Sequence, residues 1–162
     1  HPPNVDAVLW FAREVLPRIR AVRPTLEFHC VGGDVPNEIA RLAELPGIRI
    51  HGHVPDLQPL LDGARVSIAP LRYGAGVKGK VNQAMAHGLP VVATTAAVEG
   101  MHLRDGEDVL VADDAAAFAD SVLRLHGDEA LWARLSANGR DNVARHFSLD
   151  AARAVVRELF FD

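Results

Sequence analysis

The chain of 162 residues has one cysteine, Cys30, so no disulfide can form within it. Its place in a strand-like run reads as a small core residue, which fits a reducing compartment. There is no lysine- or arginine-dense run. Seventeen basic residues against 21 acidic ones leave a formal charge of −4 and an isoelectric point near 6.0. That balance argues against general nucleic-acid binding through the phosphate backbone. No apolar run approaches membrane-spanning length, and the opening HPPN carries no signal-like pattern. Repeats, linkers and low-complexity tracts are also lacking. What is present is 49% hydrophobic residues, enough for one respectable core and hence one domain.

The rest of the chain is organised around residues 66–94: VSIAPL, RYGAGVKGK, VNQAMAHG and LPVVATT. The first apolar run is too short for a helix and nearly free of charge, which suits a strand covered on both faces. Gly74, Gly76 and Gly79 permit positive φ and close approach of backbone to a ligand. Val81, Ala84, Met85 and Gly88 then recur at helical spacing and predict a face packed on the sheet, with Lys80, Gln83 and His87 on the opposite stripe. Free backbone N–H groups, a helix N-terminus and two lysines at its mouth predict an anion site for phosphate.

In chain order, Asn4 reads as the cap of a first helix, with Pro17 kinking or restarting it. A strand over 26–31 ends at Gly32-Gly33-Asp34. A short helix over 36–45 leads to a strand over 48–54, and Pro55-Asp56 starts a helical turn. After the central unit, 108–112 reads as a short strand. Asp113-Asp114 and Asp128 cap two helices, and Ser148 caps a third over 149–160. The alternation predicts an α/β fold, a doubly wound, Rossmann-like parallel sheet with helices on both faces. Such a domain normally has a strand before its first helix. The expectation is that this strand lies upstream of His1.

Two bland or competing readings of the central loop stand beside the phosphate one. Glycine can serve a tight strand-to-helix turn alone, although three glycines and two lysines in seven residues exceed that need. Residues 74–80 also match G-x-x-x-x-G-K, the P-loop pattern, but Val81 stands where a hydroxyl would bind magnesium. His51 and His53, two apart, would share a strand face; no third ligand accompanies them, so no metal site is expected.

The run GAGVKGKVNQAMAHGLPVVAT resembles the signature of the donor-binding, C-terminal domain of glycosyltransferase family 4 (group 1), enzymes of the GT-B fold, in which it ends E-A-M-A-x-G-x-P-V-V. PNVDAV, VGGDVP, HGHVPDL, DGEDVLVADD and RHFS agree with it, so the resemblance covers essentially the whole chain. It implies a hexosyltransferase-type enzyme that takes a nucleotide-diphosphate sugar as donor substrate, with no other cofactor and no metal. Transfer to an acceptor hydroxyl would retain configuration. It also implies an N-terminal acceptor-binding domain outside these residues, so that this domain alone would be inactive. The setting would be cytoplasmic, peripheral to a membrane through that other domain.

By the same resemblance, the diphosphate would meet the backbone of Gly74, Gly76 and Val77 with Lys78 and Lys80 as countercharges. The base would sit at His53, Val54 and Pro55, and the ribose at Gln83. Two family glutamates fall at Ala75 and Gln83, so Glu99 is left as a possible sugar contact and no catalytic residue stands out. A degenerate nucleotide-sugar-binding module without activity is the alternative.

Overall fold

The computed structural model describes residues 1–148. The first helix runs as α1 (Pro2–Trp10), a π-helical turn (Phe11–Val15) and α2 (Leu16–Val22). Pro17 sits in the first turn of α2. It has no N–H to donate and its ring crowds the carbonyl four residues back, so the widened turn takes up the misfit. The helix starts at Pro2, not at an Asn4 cap: a proline in the first turn is pre-set for helix and loses no bond there.

Next come β1 (Phe28–Val31), α3 (Asn37–Ala40) with a 3-10 turn (Arg41–Glu44), and β2 (Ile48–Gly52). Then follow α4 (Gln58–Gly63), β3 (Ser67–Ala69), α5 (Gly79–Ala86), β4 (Val91–Ala93), α6 (Thr95–Val98) and β5 (Leu110–Val111). The described residues end with α7 (Ala115–Gly127) and α8 (Glu129–His146). The helix expected after Ser148 lies outside the described residues.

All strand pairs are parallel, but they form two sheets: β1 with β2, and β3–β4–β5. The single sheet expected from the sequence is thus divided, because among the described residues β1 pairs only with β2 and β3 only with β4. Burial follows pairing. The three residues of β4, paired on both sides, are fully buried, whereas those of β3 are half-buried. The strands are also shorter than their apolar runs. Beyond Ala69, Thr94 N–H bonds the Ala69 carbonyl and the chain turns away.

Side-chain alternation along the three-stranded sheet separates two cores. Ile68, Val92 and Leu110 face Trp10, Phe11, Val15, Ile19, Phe118 and Leu125 from the first helix and α7. Ala69, Val91, Ala93 and Val109 face Val81, Ala84 and Met85 of α5, with Ala97 and Met101. Helices therefore cover both faces, as the doubly wound pattern predicts. Cys30 is half-buried against the first core, and burial pushes its thiol pKa up.

Two aspartates divide the capping work expected of both. Asp114 caps α7, accepting from Ala117 N–H at 2.8 Å, while Asp113 reaches back to Thr95, accepting from its N–H and hydroxyl at 2.8 and 2.7 Å. Thr94 caps α6 and its hydroxyl donates to the Leu71 carbonyl. These contacts tie together the carboxyl ends of β3, β4 and β5, where α/β sheets of this kind hold ligands. No helix among the described residues is long and apolar enough to cross a membrane.

Candidate functional site

The loop between β3 and α5 has the backbone its glycines predict. Gly74 and Gly76 hold φ of 121° and 89°, conformations that an L side chain rarely adopts. A Cβ on Gly76 would meet nothing within 4 Å, so packing does not demand glycine there. Its demands are the dihedral and open space above the main chain. The N-cap of α5 is Lys78, which provides no side-chain cap, unlike Thr94, Asp114 and Asp128 on α6, α7 and α8. The Lys78 carbonyl takes up the Val81 and Asn82 amides, so among the described residues those of Gly79 and Lys80 remain available at the positive end of the dipole.

The two lysines differ. Lys78 folds over its own loop, its Nζ donating to the Gly76 carbonyl at 2.8 Å. Lys80 is exposed in the first turn of α5 and, among the described residues, makes no side-chain hydrogen bond or ion pair. Its ammonium is near enough to Cys30 on β1 to draw that thiol's pKa down, against the larger upward push of burial. Among the described residues Lys80 is therefore a free cation, and its charge is felt at Cys30 on β1. Val81, the position where a P-loop needs a hydroxyl, is 3% exposed and points into the second core, so even a serine there would not reach solvent.

A groove of about 510 Å³ lies between the loop after β2, helix α4 and helix α5. It is lined by Val54, Pro55, Gln58, Leu61, Gln83 and His87, among others. The structure thus brings together three of the residues assigned to base and ribose: Val54, Pro55 and Gln83. It does not bring His53 or residues 74–80 into that groove; the loop lies on the exposed surface one helical turn before Gln83. Glu99, the C-cap of α6, and Ala75 are exposed and outside it as well.

The expected shared strand face of His51 and His53 is not formed. β2 ends at Gly52, whose φ of 68° breaks the alternation, and His51 stacks on His29 with ring nitrogens 2.8 Å apart. Among the described residues no three His, Cys, Asp or Glu side chains are grouped to hold a metal ion.

Two couples escaped the sequence reading. His87 Nε2 lies 2.5 Å from Asp62 Oδ1, joining the C-cap of α5 to α4. Arg72, at the entrance of the glycine loop, donates twice to Asp6 on α1, at 2.6 and 2.9 Å. Each pair is separated by dozens of residues, and no local pattern links its members. The hydrogen bonds and charge of Arg72 hold the Asp6 carboxyl below its ordinary value of 3.8, against a weaker opposing effect of burial. A lowered folded-state pKa makes this contribution to stability complete above the unfolded value and lost as pH falls through the folded one. The stability difference between the unaltered chain and Asp6→Asn is expected to be pH-independent above about pH 5 and to vanish on acidification, read by urea unfolding across pH. A difference that persists undiminished at the acid end contradicts it.

The fold has solved counterparts. A TarM variant from S. aureus, solved with Fondaparinux, alpha-GlcNAc-glycerol and UDP, matches 99% of this chain and 33% of its own, with a TM-score of 0.79 at 20% identity. Anabaena Alr3699/HepE, solved with UDP, matches 87% of this chain and 43% of its own, with a TM-score of 0.71 at 16% identity. At such identities the likeness establishes fold. A curated Klebsiella pneumoniae protein, an "Uncharacterized 44.6 kDa protein in cps region", is 27% identical over an alignment of 131 residues, and the match covers 75% of this chain and 34% of that protein. The chain thus spans about a third of the length of these relatives, and somewhat more of HepE. The family profile described as Glycosyl transferases group 1 matches residues 1–128, most of the chain and all of the loop and groove described above. On that match the chain belongs to the group 1 glycosyl transferases, with the α/β architecture of the GT-B enzymes.

Proposed function

We propose that this chain is the donor-binding part of a glycosyltransferase, gripping a nucleoside-diphosphate sugar while its glycosyl group passes to an acceptor hydroxyl. The observation that carries the reading is the open loop 74–80, with a Lys80 unpartnered among the described residues, one turn before the groove that gathers Val54, Pro55 and Gln83. In this reading the diphosphate lies on the amides of Gly74, Gly76 and Val77 and the first turn of α5. Lys80 and a reoriented Lys78 balance its charge. Charge grows on the leaving diphosphate as the sugar bond breaks, and fixed N–H dipoles stabilise it without a metal. Gln83 takes the ribose, while the base enters the groove near Val54 and Pro55, with His53 beside it.

The half-buried, one-sided edges of β1 and β3 support a further part of the reading: a parallel strand from outside these 162 residues joins the two sheets. An N-terminal domain then supplies the acceptor and closes the site, in a cytoplasmic enzyme held at a membrane through that domain. Reaction with retention of configuration, without any cofactor beyond the donor, completes the proposal. The 162-residue chain alone would bind donor and turn over little. A second reading, a binding module without activity, draws on Ala75 and Gln83, which offer no carboxylate at either family position.

Calorimetry of the chain against UDP, GDP, ADP and their sugars, with and without magnesium, tests the site. Metal-independent binding of one diphosphate is expected, and Lys80→Ala should weaken it by about 1–3 kcal/mol, the worth of a charge-assisted hydrogen bond. An unchanged affinity removes Lys80 from the site. Magnesium-dependent ATP binding would revive the P-loop reading instead.

A further inference from the structure

Helix α1 meets the glycine-rich loop at two points. Arg72 pairs side-on with Asp6, Nη2 to Oδ1 at 2.6 Å and Nε to Oδ2 at 2.9 Å, and its guanidinium lies 5.8 Å from the centroid of the Trp10 ring. Two residues on, a Cβ at Gly74 would stand 3.5 Å from the Pro3 ring, so Pro3 backs the loop where φ turns positive. Asp6, Trp10 and Pro3 all lie on α1, and Trp10 is anchored in the first core. The entrance of an otherwise glycine-rich, exposed segment is thereby fastened to a rigid helix. A planar, two-point Arg–carboxylate pair fixes direction as well as distance.

We propose that Asp6 and Arg72 form a positioning clamp. By holding the loop in its anion-receiving shape, the clamp makes a carboxylate raise the affinity of this chain for a diphosphate. The inference rests on the donor-site reading above. Its physical basis is preorganisation: a loop rich in glycine loses much conformational freedom when a ligand orders it, and a loop ordered beforehand does not. The pair uses two of the five N–H bonds of Arg72, and the other three make no hydrogen bond among the described residues.

The clamp and simple electrostatics predict opposite signs, and Asp6→Asn separates them. Deleting a negative charge beside an anion site should tighten anion binding by Coulomb's law. Loosening the clamp should weaken it. Calorimetry on the full chain with UDP and with uridine is expected to show UDP affinity falling about tenfold in Asp6→Asn, the scale of a lost charged hydrogen bond. Uridine affinity should be unchanged, and Asp6→Glu should recover most of the loss. Amide order parameters from NMR relaxation should fall across residues 74–80 in Asp6→Asn without ligand. UDP binding that is unchanged or tighter in Asp6→Asn overturns the proposal. Equal losses for UDP and uridine overturn it too, since they mark a general structural defect. If the unaltered chain binds no UDP, the donor-site reading fails. The order parameters then judge the clamp alone: a drop confined to 74–80 supports it, and no drop overturns it.

Discussion

Gly76→Val is expected to abolish measurable diphosphate binding while leaving the chain folded. The φ of 89° at Gly76 is one that a β-branched residue adopts only under strain, costing about 1–2 kcal/mol on the left-handed side of the backbone map. That cost is tolerable for a core of this size, and a Cβ there would strike nothing. The damage falls on the open face of the loop. A valine side chain would stand over amides left bare for an anion, or force the loop to another path. Losing two or more charge-assisted hydrogen bonds at about 1.5–3 kcal/mol each should lower UDP affinity by roughly 100-fold or more. A valine variant that still unfolds cooperatively, its stability lowered by no more than the about 1–2 kcal/mol of strain, yet no longer binds UDP is the expected result. One that binds as tightly as the unaltered chain would show that the loop is only a turn.

Phe118→Ala is expected to be the most destabilising of these substitutions, by about 3–5 kcal/mol, as for other buried phenylalanines. Phe118 on α7 has no exposed surface and sits edge-on to Trp10 and Phe11, with ring centroids 5.6 and 6.0 Å away. Three rings from two helices therefore interlock over the sheet, and truncating the central one leaves a void that rigid neighbours cannot close. For a domain of this length each kcal/mol shifts the melting temperature by about 2–4 °C, so a fall of roughly 6–20 °C is expected by calorimetric melting. Tyr73→Ala, at an exposed loop position, is the control and should change stability by less than about 0.5 kcal/mol. A small effect at Phe118 would mean that α7 can settle inward to fill the gap.

Much of the architecture was legible because it is encoded over short distances. The 3.6-residue spacing of Val81, Ala84, Met85 and Gly88 marks the inner face of α5, and all four are buried. Asp114 and Asp128 cap the helices they precede, and Pro17 falls where the first helix is reset. Asn4 misled because the prolines before it already start the helix. Strand lengths were overread, since an apolar run records burial while a strand needs partners, and the partners of β3 and β5 extend only two or three residues.

Within the site the division is the same. The glycines and their dihedrals, the lysines and the residue types along α5 follow from local chemistry, where each backbone conformation and helical face depends on neighbours a few positions away. Packing alone decided that Asp6 waits for Arg72 and Asp62 for His87. Those pairings join segments that meet only after two cores have formed on opposite sides of the strands. Sequence determined what this loop can do; the folded chain determined which charges are left to do it, because a side chain's partner is set by what the core brings within reach.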